Sequence, residues 1–498
     1  MVLSRVLLAL ALTLAGYLLK LLWTGHTSAT RSISGPWYTR YTNIFLRFHV
    51  LSGRRIFYVD DLHRRYGGVV RIAPNEVAVA DLAGVSQIHK IGSGFLKSTF
   101  YANLTPTREP GIFAMRDPHA HAARRKLFAR AFSNSSLRSN WETEVRKKAR
   151  LAVQRIKQDA SGSQRGTDIF KWWTLMATDV IAHLSFGESF NMLELGQQTP
   201  YIDALQAALL GGVLRAEMPL LHTILRHAPF KRAQMIATAD DVVYEYGAHA
   251  IRNMRSDNGN TLNLFGQMLA ASDSEDKVSL TDKDVREEAG NLIVAGSDTT
   301  AVTLTYLVWA VLKHPDLQAR LEEEIAELSE SLSMAELEAA PVLNSVIEET
   351  LRLYGAAPGA LPRIVPSQGM IVSGFHIPGG VEVSTQAYTN HRDPSLFSNP
   401  LSFDGFRFLN KSSMSAQQKA ACMPFGGGSR VCIGLHLAWM ELRLGAALFF
   451  RECRGARLSE STNDEMMEMD NRFLISPKGH CCYVTLRNGP SQKVPKSF

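Results

Sequence analysis

FGGGSRVCIG, residues Phe425 to Gly434, is the stretch on which the reading of this chain turns. It puts one cysteine, Cys432, just ahead of a segment in which Leu435, Leu437, Ala438, Leu442, Leu444, Ala447 and Leu448 recur at helical spacing. The spacing predicts a helix with Cys432 at its mouth, where free N–H groups and the dipole favour a thiolate, the form of cysteine that binds metals. The run Gly426 to Gly428 lets a bulky planar group approach the main chain.

The pattern Phe-x-x-Gly-x-Arg-x-Cys-x-Gly, met by Phe425, Gly428, Arg430, Cys432 and Gly434, resembles the haem-ligand loop of the cytochrome P450 monooxygenases. The resemblance covers the chain from about Tyr58 to its end. It implies a mostly α fold with small peripheral β-sheets, a single large haem-binding domain over residues 37–498, and haem b (iron protoporphyrin IX) with Cys432 as its metal ligand. Length alone, 498 residues, would suggest roughly two to four domains.

Five cysteines are an odd count without zinc-like spacing, which indicates neither a disulfide framework nor a structural zinc site and fits a reducing compartment. Cys481 and Cys482 are expected in a late strand. The formal charge of +7 is thinly spread, so nucleic-acid binding is not indicated, and a membrane surface or an acidic protein suits it better.

Val6 to Trp23, VLLALALTLAGYLLKLLW, carries one charge, Lys20, and as a helix would span about 27 Å, close to a bilayer core. Residues 1–23 are therefore read as a membrane anchor and 24–36 as a polar linker ending in Gly35-Pro36. A cleavable signal peptide with Thr27-Ser28-Ala29 as its cleavage site is the competing reading. Lys20, Arg31 and Arg40 favour a cytosolic body, and the resemblance implies a single pass through the endoplasmic reticulum membrane, leaving the sequons at Asn103, Asn134 and Asn410 unglycosylated.

Val69 to Val79 reads as a hairpin turning at Pro74-Asn75, and Met370–Val372 with Val381–Ser384 as a second strand pair around Pro378-Gly379-Gly380. The longest helix is expected from Thr281, with Asp284 completing a capping box, to Lys313, about 50 Å in all. In its middle lies AGSDTT (Ala295 to Thr300), whose last five residues are poor helix formers in succession. Asp298 supplies a carboxylate and Thr299 a hydroxyl suited to proton delivery, while Gly296 leaves space. The string resembles the oxygen-activating motif of the same family, making Asp298 and Thr299 the expected catalytic pair.

Glu349 and Arg352 lie three apart on a helix, Pro341 to Tyr354, that also presents Val342, Leu343, Val346, Leu351 and Leu353, so the pair is expected buried. The family adds a downstream Arg-Phe, matched by Arg407-Phe408 in FDGFRF, although Asp404, Gly405 and Phe406 depart from the usual residues before it. Their expected role is structural. For the haem propionates the resemblance points to Arg430, Arg363, Arg125 and His121, which stands where a tryptophan is common.

The chain carries no flavin or nicotinamide signature. The implied partners are an NADPH-cytochrome reductase as electron donor, with Lys126, Arg130 and Lys419 facing it, a lipophilic and polycyclic natural product as substrate, and a membrane. Candidate pocket walls are Phe100 to Phe113, Leu209 to Leu225, Asn291 to Ala295 and Ala357 to Leu361, with Pro358-Gly359-Ala360 leaving room. Ala387 to Asp393 looks like fungal enzymes of secondary metabolism. The alternatives are a haem-thiolate isomerase or dehydratase, against which Asp298 and Thr299 argue, and a non-catalytic membrane-tethered haem sensor.

Overall fold

The computed structural model describes residues 2–105, 110–163, 165–231, 233–239, 241, 243, 263–266 and 281–486. Residues 106–109 of one expected pocket wall and 487–498 of the expected domain lie outside the described residues.

The apolar N-terminal run forms helix α1 (Val2–Thr27), four residues longer at each end than its sequence signal. It is long and apolar enough to cross a membrane. Most of its described side chains are exposed, and among the described residues none joins a core cluster. The segment after it is not a loose connector. Ser28 and Thr30 hydroxyls donate to the Pro74 carbonyl, Ile33 is buried, and the buried Arg71 guanidinium donates to the carbonyls of Thr30, Ile33, Gly35 and Pro36. One arginine thus ties the expected polar linker to the sheet.

Arg71 lies on β1 (Val69–Ala73), which turns at Pro74-Asn75 into β2 (Glu76–Val79). A short strand β3 (Leu96–Lys97) follows, then the helices α2 (Pro118–Ala131), α3 (Glu142–Gly162), α4 (Ile169–Phe186) and α5 (Asp282–Leu312). The capping box forms: Thr281 Oγ1 accepts from Asp284 N–H at 3.2 Å, and Asp284 Oδ2 accepts from Thr281 N–H at 2.9 Å. At the other end α5 stops before Pro315, which cannot continue it.

Beyond α5 come α6 (Pro341–Tyr354), β4 (Arg363–Ile364), β5 (Met370–Val372), β6 (Phe375–Ile377), β7 (Glu382–Ser384) and α7 (Leu435–Glu452). The second hairpin differs from expectation. β5 pairs with β6, because Ser373 and Gly374 take φ of 48° and 78° and close a two-residue turn with both central residues left-handed. β7 instead enters a five-stranded sheet of order β1-β2-β7-β4-β3, parallel to β2. Cys481 and Cys482 lie just ahead of the last strand, Tyr483–Thr485.

The main core is helical. Ile293, Leu304, Leu307 and Val311 of α5 are buried in one cluster with Trp173 and Met176 of α4, Leu343 and Ile347 of α6, and Leu444, Phe449 and Phe450 of α7. Each such side chain contributes about 1.5–3 kcal/mol. Gly296 serves this packing: a Cβ there would lie 2.7 Å from Ile181 of α4, so the glycine admits a neighbouring helix, where the sequence suggested room for oxygen.

Candidate functional site

Between α5 and the Cys432 loop lies a cavity of about 400 Å³. Phe425, Arg430, Cys432 and Gly434 line it from the loop side. The loop is held by Cys432 N–H donating to Phe425 O at 2.9 Å. Gly428 has φ of 62°, and a Cβ would fall 1.9 Å from the His89 carbonyl, so only glycine fits. Gly434 caps α7, placing Cys432 two residues before the cap rather than in the first turn. The cysteine side chain lies deep in the protein yet is exposed to the cavity. Burial pushes its thiol up, while the Gly434 N–H and the Arg125 charge act in the opposite sense.

Opposite, α5 contributes Ala295, Gly296, Thr299, Thr300 and Thr303. Thr299 Oγ1 donates to Ala295 O at 2.6 Å, the local bond that helical threonines commonly make. Asp298 is not a lining residue, since one residue of helix turns it about 100° from Thr299. Its carboxyl is pushed up to about 6 by burial alone.

The cations converge. Arg363 is buried and donates to Tyr101 Oη at 2.9 Å; Arg430 donates to Met115 O at 2.8 Å; Arg125 donates to Val431 O at 2.8 Å. His121 is buried and held down to about 3 by desolvation and then by Arg430, Lys97 and Arg125, so it faces the cavity as a neutral ring.

Lys97 escaped the sequence reading. Strand pairing sets it opposite Arg363, and like charges directly opposite destabilise a sheet. It is buried, its ammonium donates to Phe113 O at 2.5 Å, and desolvation followed by Arg363 and Arg430 lowers its pKa. Among the described residues none of Lys97, His121, Arg125, Arg363 and Arg430 is ion-paired, although all line the cavity. Uncompensated buried charge calls for an anion. With a thiol facing the same cavity, the donors fit a planar metal-bearing group with carboxylates at one edge.

Glu349 and Arg352 form a buried bidentate pair, with Nε–Oε2 and Nη2–Oε1 both 2.7 Å. Arg407 Nε joins at 3.1 Å, and the departing Asp404 contributes its backbone N–H to Glu349 at 2.9 Å.

The pocket walls were read in part. Tyr101, Leu104, Phe113, Asn291, Ala295, Ala357 and Leu361 line the cavity, and of Leu209–Leu225 only Leu209 does. Leu220 and Ile224 point outward, while Gly359 packs against Asn471 and Ile56. Ile181, Phe473 and Leu474 were missed, because chain-distant segments carry them.

Residues 36–482 match the family described as Cytochrome P450. The chain is 41% identical over 94% of both chains to cytochrome P450 monooxygenase aflV of Aspergillus parasiticus. It is 40% identical to cytochrome P450 monooxygenase stcB of Emericella nidulans, covering 92% of this chain and 88% of that one. A crystal structure of the cytochrome P450DA heme domain superposes with a TM-score of 0.72 at 19% identity, covering 89% and 95% of the two chains.

Proposed function

This chain belongs to the cytochrome P450 family and is a haem-iron monooxygenase; from that premise we propose that it hydroxylates, or similarly oxidises, a lipophilic and polycyclic fungal secondary metabolite, with haem b on Cys432. The observation that carries the assignment of residues is the meeting, in one cavity, of Cys432, the threonine face of α5 and five basic side chains that form no ion pair among the described residues. When bound, the haem supplies dioxygen activation by an iron carrying an electron-rich thiolate.

The chain's own residues do the rest. Lys97, His121, Arg125, Arg363 and Arg430 are proposed to hold the propionates, which would offset the mutual repulsion that their burial imposes. Thr299 presents a hydroxyl to the cavity, and Asp298, behind it, takes protons from solvent and passes them toward that hydroxyl. Val294, Ala295, Phe113 and Leu361 exclude water around the substrate. Glu349, Arg352 and Arg407 hold the fold on the cysteine side.

Electrons come from a redox partner, proposed to be an NADPH-cytochrome reductase on the endoplasmic reticulum membrane that α1 also enters. Lys126, Arg130 and Lys419 are exposed, and the first two ride on α2, whose Arg125 bonds the Cys432 loop. They suit an acidic partner.

The purified protein, reduced and placed under carbon monoxide, is expected to show the strongly red-shifted main band of thiolate-ligated haem. Cys432→Ala abolishes it. A band unchanged by that substitution, or protein that takes up no haem, contradicts the assignment.

A further inference from the structure

Away from the basic residues the cavity walls are mostly apolar, with Leu104, Ile112, Phe113, Leu209 and Val294 among them. Asn291 of α5 breaks that surface, half-buried, roughly 12 Å along the helix axis from Thr299. Other polar groups on this side are already committed. The Thr105 and Thr303 hydroxyls donate to the carbonyls of Tyr101 and Thr299, and Arg286 and Glu287 are each engaged with another group.

The Asn291 amide nitrogen is enclosed and has no hydrogen-bond partner. It lies against Gly111 and Glu288: a Cβ on Gly111 would fall 2.4 Å from Asn291 Nδ2 and 3.0 Å from Glu288 Oε2, an oxygen that is also without a partner. Glu288 is fully buried and fixed, since its Oε1 accepts from Arg124 Nη1 of α2 at 3.0 Å and from Ile112 N–H at 2.8 Å. An amide carries its oxygen opposite its nitrogen. With Nδ2 on the carboxylate side, Oδ1 is the atom left for the cavity, and the reversed amide would set oxygen against oxygen. An acceptor presented to apolar walls is costly until a donor meets it.

We propose that Asn291 is a specificity-determining residue that selects substrates bearing a free hydroxyl, accepting its hydrogen bond on Oδ1, while Gly111 and Glu288 orient the amide. On the monooxygenase reading, the substrate is then a lipophilic skeleton whose hydroxyl lies roughly 12 Å, measured along α5, from the level of Thr299 where oxidation takes place. A ketone or an ether at that place cannot donate and is a poor substitute. An alkylation of that hydroxyl therefore belongs after this enzyme in a reaction sequence, not before it.

Spectral titration of the haem in purified full-length holoenzyme tests this without turnover, with estrone, a polycyclic phenol, and its methyl ether as probes. Burial pushes the Glu288 carboxyl up to about 7, against Arg124 and the Ile112 N–H, so the titrations are set at about pH 8, where it is mostly ionised. Wild type should bind the phenol about tenfold more tightly than the ether. Asn291→Leu should level the two, loosening the phenol while binding the ether at least as tightly as wild type does, a gain that general damage to the pocket would not produce. Gly111→Ala, whose methyl displaces the amide and leaves Asn291 in the chain, should lose the preference as well. A wild type that does not favour the phenol, or an N291L or G111A protein that keeps the full preference, overturns the proposal. The carbon monoxide band is recorded on every sample beforehand, so such a failure with the band intact leaves the monooxygenase reading standing.

Discussion

Burial alone raises the Asp298 carboxyl from 3.8 to about 6, and this sets its pH behaviour. Between those values the folded chain keeps a proton that the unfolded chain has released, so stability falls as pH rises through the window, and the full cost persists above it. Asp298→Asn is therefore expected to be more stable than wild type at about pH 8, by about 1–3 kcal/mol, with the gap closing below about pH 4. Calorimetric melts at both pH values check this. The same variant should turn over about 100-fold more slowly in reductase-driven assays, since a removed proton donor costs on that order. Thr299→Ala should keep the haem and its spectrum while diverting NADPH-derived electrons to free hydrogen peroxide; tight coupling of electrons to product would contradict the role given to the hydroxyl. At this scale the sequence was most readable where chemistry is packed into contiguous residues, as around Cys432 and Asp298. At Gly296, which lines the cavity, it left out a second demand on the missing side chain, the approach of Ile181 on another helix, a neighbour no local pattern displays.

Between elements, the electrostatics of two contacts matter most. Glu349 is fully buried against Arg352 and Arg407, and deleting one partner of such a group costs about 3–5 kcal/mol. Arg352→Ala should yield protein without haem, and Arg352→Lys should not rescue it, because an ammonium cannot fill the two-pronged contact; haem content per folded protein measures both. Lys97 opposite Arg363 presents the reverse case. Lys97→Met should release haem about tenfold faster, followed by transfer to a haem acceptor, yet raise the melting temperature of the haem-free protein by relieving like-charge crowding. The helical lock was visible as Glu-x-x-Arg on an apolar helix. Lys97 was not, since its significance arises from a pairing of β3 with β4, strands far apart in the chain. The β5–β6 hairpin was likewise hidden, because a serine with φ of 48° does not announce a left-handed turn.

Across the whole molecule, α1 stands apart. Its apolar window is exposed where that of α5, also long and apolar enough to cross a membrane, is mostly buried. Deleting residues 2–23 should move the protein from the membrane pellet to the soluble fraction without altering its carbon monoxide spectrum, as fractionation would show. The mostly helical architecture and the apolar N-terminal helix were legible from hydrophobic runs and caps. The joint between them was not, because Arg71 lies far along the chain from the carbonyls it gathers. That arginine makes the exit from the bilayer behave as a welded bracket. Gly25 abuts the Tyr41 ring, Thr30 to Pro36 are bolted to the sheet, and swivel is confined to α1 itself. Were α1 seated in a bilayer, a thicker or thinner lipid leaflet would therefore tip the entire catalytic body as one piece, resetting the altitude and bearing of its doorway together.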